Sequence, residues 1–413
     1  MKTQGYLGID VGTQGLSVIF VDDALRLRAA GDGSYEMVPG LGEGEYEQQP
    51  ADWEQALAAA MQDLRAKLAT LGVELDVRAI GISGQMHGEV LCDADGEPLA
   101  PARLWCDGRN EAEGHELTAL LGVKCPKRLT AARWLWTIRN RPSLAAKAMH
   151  LTTPGGWIAR RLTGEWTLGI GDASGMFPID QGSLDYDAKR LAEFDALIAR
   201  TAPTLKLPSL RELLPAVRKA GDHGGSLDAH GAKLLGLSQG IPVAAAEGDQ
   251  PAALAGSLIA KAGTVSMSFG TSVVANSVGD RPFQGVSTAV DHFCAADGKP
   301  INMVFLRNGT TAMNTVVSMF GGILAAGSDP FSAIMPLVLA APDDCGGLLA
   351  LPFMDDEPGL GVSRGGTASL IGLSGTSSTP GNAVKAMLLA TIFDLRMGSD
   401  VLDAQGYPRT EIV

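Results

Sequence analysis

Two short segments of this 413-residue chain repeat one another: Ile9-Asp10-Val11-Gly12-Thr13 and Met267-Ser268-Phe269-Gly270-Thr271. Each lies between two β-rich apolar runs, Tyr6 to Val11 with Leu16 to Asp22 in the first case, Thr264 to Ser268 with Val273 to Val278 in the second. A short glycine-containing break between two such runs reads as a hairpin turn. One hairpin near the start of each half predicts an internal duplication, with two unrelated hairpins as the alternative. The chain is also longer than one ordinary core supports. Two domains are therefore expected, 1–257 and 258–413.

The segments after the first hairpin set the fold class. A third strand near Leu27 to Ala30 completes a meander, and a helix follows with Asp52 as N-cap and Gln55 three residues on. Trp53, Leu57, Met61, Leu64 and Leu68 share one face of that helix, and Gly72 stops it. Val77 to Ser83 is again a buried strand. Strands followed by helices, repeated, predict an α/β protein in which each domain is a mixed sheet flanked by helices.

Bulk properties exclude several functions. Hydrophobic residues make up 46% and charged residues 19%, as in a globular protein, and the net charge of −13 disfavours a broad nucleic-acid surface. Cys92, Cys106, Cys125, Cys294 and Cys345 lie far apart without C-x-x-C spacing, which predicts reduced thiols rather than a disulfide framework or zinc site. Met1 to Gly5 leads straight into a strand, so no signal peptide is expected, and the longest apolar stretch, Phe331 to Pro342, is too short for a bilayer. A cytoplasmic location is the default expectation.

The paired turns suit phosphate chemistry. Glycine lets the backbone approach phosphate oxygens, turn amides donate to them, and a threonine hydroxyl adds a donor. Gly12 and Thr13, with Gly270, Thr271 and Ser272, are accordingly candidate nucleotide contacts. Asp10 would position a magnesium ion, through water, because Mg²⁺ keeps much of its hydration. Neither a Walker A sequence nor G-x-G-x-x-G is present.

A second chemical segment is Gly248-Asp249-Gln250-Pro251-Ala252-Ala253-Leu254-Ala255-Gly256, which follows the apolar run Ile241 to Ala246. Asp249 would sit where a strand gives way to a helix. There it serves either as a base toward a bound hydroxyl or as an ordinary N-cap. A third segment, Gly81-Ile82-Ser83-Gly84-Gln85-Met86-His87-Gly88, ends a buried strand in polar side chains able to read a polyol. A structural histidine in a turn is the bland reading of His87. Its H-x-E spacing with Glu89 lacks the P-C-x-x-C partner of zinc deaminases. Leu104-Trp105-Cys106-Asp107-Gly108-Arg109 gathers an aromatic, a carboxylate and a guanidinium, with structural ion pairing as the alternative for Asp107 and Arg109.

Taken in order, these pieces resemble the FGGY carbohydrate kinases and, within them, the xylulose kinase branch. The resemblance rests on Gly8 to Thr13, Ser83 to Gly88, Leu104 to Arg109, Leu162-Thr163-Gly164-Glu165, Asp172-Ala173-Ser174-Gly175, Gly248-Asp249 and Phe269 to Ser272. Gln85-Met86-His87-Gly88 is the part that points to xylulose. The resemblance implies two actin-like (ribonuclease H-like) domains closing an interdomain catalytic cleft, the first sugar-binding and the second nucleotide-binding. It implies ATP and Mg²⁺ as cofactors, Asp249 as catalytic base, and Gln85, Met86, His87, Trp105, Asp107, Asp249 and Gln250 around the sugar. Asp10, Thr13, Gly270 and Thr271 would serve metal and phosphates.

The expected reaction is ATP-dependent phosphorylation of a ketopentose, D-xylulose to D-xylulose 5-phosphate. A sister kinase for ribulose, another ketose or a polyol is the alternative, and an ATPase on the heat-shock and actin fold is the alternative of another class. Sugar and ATP are the expected partners, without nucleic acid or membrane, with a homodimer as a further expectation. Three departures stand out. Gln250 replaces a common asparagine, Gly155-Gly156 replaces a more polar pair, and Thr410 to Val413 reads as a strand ending before the adenine-binding segment of such kinases, so that the C-terminal part is expected to be missing.

Overall fold

A computed structural model describes residues 2–322 and 327–413. The chain forms two compact units, Met1–Ala260 with Phe293–Pro300, and Lys261–His292 with Ile301–Val413.

In the first unit a seven-stranded mixed sheet runs His223–Ser226, Pro242–Ala244, Glu74–Gly84, Lys2–Val11, Gly15–Asp22, Leu27–Ser34, with Glu247–Gly248 added beside Glu74–Gly84. Lys2–Val11 pairs antiparallel with Gly15–Asp22 and parallel with Glu74–Gly84. Alternation explains the layering: Leu7, Ile9 and Val11 and, opposite them, Leu16, Val18 and Phe20 are buried, whereas Tyr6 and Asp10 are exposed. The helix Pro50–Thr70 covers that buried face with Trp53, Leu57, Met61, Leu64 and Leu68. Each such side chain removed from water contributes roughly 1.5–3 kcal/mol. The helix backbone lies directly on Leu27–Ser34; a Cβ at Gly33 would stand 2.2 Å from the Ala56 carbonyl oxygen.

This helix begins earlier than the sequence suggests. Its N-cap is Gln49 and Pro50 occupies the first turn, so Asp52 is not the cap. Proline's fixed φ suits a first helical turn, and Asp52 instead faces the positive end of the helix dipole. The stop falls where expected, with Gly72 at φ +63° and its N–H on the Ala69 carbonyl.

The second unit repeats the pairing scheme. Its five-stranded sheet runs Val290–Cys294, Pro300–Leu306, Val273–Val278, Thr264–Phe269, Glu411–Ile412. Thr264–Phe269 and Val273–Val278 form the antiparallel hairpin, Pro300–Leu306 is antiparallel to the second of them, and Glu411–Ile412 is parallel to the first. Lys2–Val11, Gly15–Asp22, Leu27–Ser34 and Glu74–Gly84 stand in the same relation. Thr310–Gly321, Pro330–Ala340 and Pro380–Ala404 supply the helical layer, joined through Val316, Val317, Ile334, Val338, Val384 and Met387. All five cysteines are free thiols. Among the described residues no helix is long and apolar enough to cross a membrane.

Candidate active site

In the first unit Glu247–Gly248 lies parallel to the end of Glu74–Gly84, with Glu247 opposite Ser83 and Gly248 opposite Gly84. Gln85-Met86-His87 and Asp249 therefore leave the sheet side by side. The run Ile241 to Ala246 is strand only over Pro242–Ala244, and a separate short strand, Glu247–Gly248, follows it. Asp249 is the first residue of the helix Asp249–Gly256, whose N-cap is Gly248, and no side-chain capping bond is made. The capping reading of Asp249 is thus set aside. Its Oδ1 accepts the Gln250 N–H at 2.7 Å. Burial, reinforced by the Asp10 carboxylate, pushes its pKa up to about 6. Such a group holds and releases a proton near neutral pH, as a base toward a hydroxyl requires.

Two buried carboxyls underlie this junction. Glu247 accepts the N–H groups of Gly171, Asp172 and Gly248 at 3.2, 2.5 and 2.9 Å, and burial pushes its pKa up to about 7. Asp172 is fully buried and accepts the Thr153 hydroxyl at 2.6 Å. Burial raises its pKa well above the carboxylate range, with Glu247 and Asp249 adding repulsion. Sequence reasoning passed over Glu247. The only available signal was an acidic residue ending an apolar run.

The sugar-reading segment is tightly held. Met86 is buried under Gly248, where a Cβ would stand 2.5 Å from Met86 Cγ. His87 adopts φ +66°, a left-handed conformation costly for a side chain of its size, and its Nδ1 meets the Gly175 carbonyl at 2.9 Å. Burial, with the guanidinium groups of Arg128 and Arg133 nearby, pushes its pKa down to about 3. The ring is therefore neutral. With Nδ1 donating to a carbonyl, Nε2 is an acceptor. Gln250 is exposed at the start of its helix.

Trp105 is 42% exposed, and its indole N–H donates to the Thr13 hydroxyl at 3.1 Å. Asp107, expected at the sugar, is instead fully enclosed. It accepts from Arg103 at 3.0 Å, from Arg109 Nε at 3.0 Å and from the Tyr46 N–H at 3.0 Å, leaving no face for a ligand. Although burial opposes it, the Arg109 and Arg103 guanidiniums hold its carboxyl pKa well below the usual carboxylate range. The geometry gives Asp107 the structural ion-pair role.

At the first turn, Gly12 N–H donates to the Gly15 carbonyl at 3.0 Å, and Tyr35 closes the loop by donating to the Gly12 and Gly15 carbonyls. Gln85 is 1% exposed; Thr13 donates to its Oε1 at 3.3 Å, and its Nε2 donates to Gln48 Oε1 at 3.1 Å. Gln48, not anticipated, also donates to the Thr13 carbonyl at 2.7 Å and accepts from Trp53 at 3.1 Å. Gln85 is thus committed to the turn. Asp10 stands exposed beside it, with Oδ1 accepting the Ser83 hydroxyl at 2.6 Å.

Within the second unit, the turn Gly270-Thr271-Ser272 folds onto the start of Thr310–Gly321. Gly309 N–H donates to the Thr271 carbonyl at 3.0 Å, and Thr310 donates to the Gly270 carbonyl through N–H and hydroxyl, each at 2.8 Å. A Cβ at Gly309 would stand 2.6 Å from Gly270 O, so only glycine permits this contact. The twelve-residue helix thus opens directly against the glycine turn. The signal missed in the sequence was Gly309-Thr310-Thr311 ahead of an apolar run.

Residues 5–256 match the N-terminal domain of the FGGY family of carbohydrate kinases. The xylulose kinase of Haemophilus influenzae is 28% identical over 98% of this chain and 81% of its own length. Among solved structures, a kinase from Brucella ovis titled a xyloylose kinase superposes with a TM-score of 0.82 at 25% identity, over 98% of this chain and 80% of that one. The xylulose kinase of Rhodospirillum rubrum, at 22% identity, shares the fold with a TM-score of 0.84 over 98% of this chain and 80% of its own.

Proposed function

The chain belongs to the FGGY family of carbohydrate kinases, and on that premise we propose that it transfers the γ-phosphoryl group of ATP to O5 of D-xylulose, giving D-xylulose 5-phosphate. The observation that carries this reading is Asp249. It is a carboxylate at the first position of a helix whose N-cap is Gly248, with its pKa raised to about 6, beside the Met86-His87 segment. Asp249 orients the attacking hydroxyl and takes its proton as the new O–P bond forms and the bond to ADP breaks. His87 Nε2 accepts from a sugar hydroxyl, Trp105 offers an apolar face, and Gln250 adds an exposed amide. Gly12 and Thr13 in the first unit, and Gly270, Thr271 and Ser272 in the second, are the proposed phosphate contacts of their respective units.

Mg²⁺ fits the residues present only as a hydrated ion. Among the described residues no group of three or more His, Cys, Asp or Glu side chains is arranged to hold a metal. Asp10 is a single exposed carboxylate, which suits an ion bound mainly by water and phosphate. When bound, the ion neutralises charge on the transferring phosphates. Asp10 would hold it, fixed by Ser83.

The test is ADP release with ATP and a panel of D-xylulose, D-ribulose, gluconate and glycerol. D-xylulose should give the highest kcat/KM. Preference for another sugar by tenfold or more would move the substrate assignment, and ATP hydrolysis indifferent to every sugar would replace the kinase reading with an ATPase.

A further inference from the structure

The helix Thr130–Asn140 carries a fully buried arginine, Arg133, for which the proposed chemistry has no use. Among the described residues its guanidinium bonds to backbone carbonyls, not to a carboxylate. It donates through Nε to the Leu104 carbonyl at 3.0 Å, through one terminal nitrogen to the His87 carbonyl at 3.2 Å and the Arg128 carbonyl, and through the other to the Trp105 carbonyl at 2.7 Å. Those carbonyls belong to three separate segments: the turn at His87 that follows the strand Glu74–Gly84, the loop bearing Trp105, and the approach to Arg133's own helix. Burying a full positive charge among neutral acceptors is expensive.

We propose that Arg133 is the positioning residue of the sugar site, fixing the His87 and Trp105 segments against one another without touching substrate. His87 needs such a tie. Its left-handed backbone is intrinsically unfavourable, and the Gly175 contact restrains only its ring. A planar fork with five donors can reach diverging carbonyls at once, which an ammonium does less well. The charged groups around it are Arg103, Asp107, Glu89 and Arg128, with the Cys106 thiol also near. The carboxylates Asp107 and Glu89 are already engaged by Arg103, so the guanidinium's own bonds go to backbone.

This inference rests on the sugar-kinase reading, so the sugar giving the highest kcat/KM with the parent enzyme is the probe, whichever it proves to be. Failure of the parent to phosphorylate any sugar would sink the function; the effects below bear on Arg133 alone. Steady-state kinetics of Arg133→Lys and Arg133→Met should show KM for the sugar raised a few-fold in the first and about tenfold or more in the second, as hydrogen bonds to the loops are lost. KM for ATP should stay within about twofold in both. Lysine, which keeps charge and part of the bonding, should rescue sugar affinity in part. A merely structural arginine would instead lower the melting temperature while leaving sugar KM unchanged, or would weaken sugar and ATP in parallel, and either result overturns the proposal. If Arg133→Met does not fold, Arg133→Lys decides by the same criteria.

Discussion

Trp105 and Thr13 are joined by one hydrogen bond, indole N–H to hydroxyl at 3.1 Å, and the Thr13 hydroxyl donates in turn to Gln85 Oε1 at 3.3 Å. An aromatic expected at the sugar thus grips a turn expected at the phosphates, within one unit. Thr13's hydroxyl is thus engaged on both sides, accepting from Trp105 and donating to Gln85. Trp105→Phe and Thr13→Val should then be non-additive in sugar kcat/KM, with a coupling of roughly 0.5–1.5 kcal/mol. Effects that add to within about 0.3 kcal/mol would mean the bond carries nothing between the two sites.

Asp249→Asn should lower kcat by about 10²–10⁴-fold, the usual cost of losing a general base. ATP binding, followed by calorimetry, should stay near that of the parent. A variant keeping more than about a tenth of parental kcat would remove Asp249 from the chemistry.

The acid limb of kcat/KM should fall below about pH 6, because Asp249 must be unprotonated to act and its pKa stands at about 6. His87, pushed down to about 3, stays neutral throughout and contributes no inflection. His87→Ala should therefore raise sugar KM by a few-fold to about tenfold, one lost hydrogen bond, without moving that limb. A limb that shifts in His87→Ala would assign the titration to the wrong residue.

Asp107→Asn tests the ion-pair role directly. Leaving Arg103 and Arg109 without their shared carboxylate should cost up to about 3–5 kcal/mol of stability. Chemical denaturation would measure it, and sugar KM of the folded enzyme should change little. A stable variant with a large sugar KM defect would restore Asp107 to the substrate.

How far the sequence reached is clear from particular residues. The Gly-Thr hairpins were readable because alternation of buried and exposed residues and a two-to-four-residue glycine turn are local signals, and the repeated strand pairing followed from them. Asp249 stood out because a carboxylate at a strand–helix junction has few reasons to be there. Sequence could not tell whether Asp249 capped its helix, since Gly248 and Asp249 differ as caps by a single residue of phase. Nor could it see Gln48, Glu247 or Arg133. Apart from the Trp53 indole on Gln48, their partners lie 35 to 76 residues away or are main-chain atoms, as with Gln48 and the Thr13 carbonyl or Glu247 and the Gly171 amide. Gln85 and Asp107 carry the right chemistry for sugar, and only tertiary packing reveals that each is already engaged.

The buried carboxyls under the junction make a last prediction about stability. Glu247 has its pKa raised from 4.5 to about 7, and Asp249 from 3.8 to about 6. Both bind protons more tightly in the folded state than in the unfolded chain. Folding is therefore favoured by protonation, and their contribution to stability is present at low pH and lost as pH rises from about 4 through about 7. Glu247→Gln removes one of these protons from the balance. Its melting temperature should fall less steeply than the parent's between pH 5 and about 7, whatever the absolute change from losing an acceptor for the Gly171, Asp172 and Gly248 amides. Scanning both proteins across that range decides it. Parallel slopes would show that Glu247 is ionised in the folded protein at pH 5, held so by the three amides that it accepts.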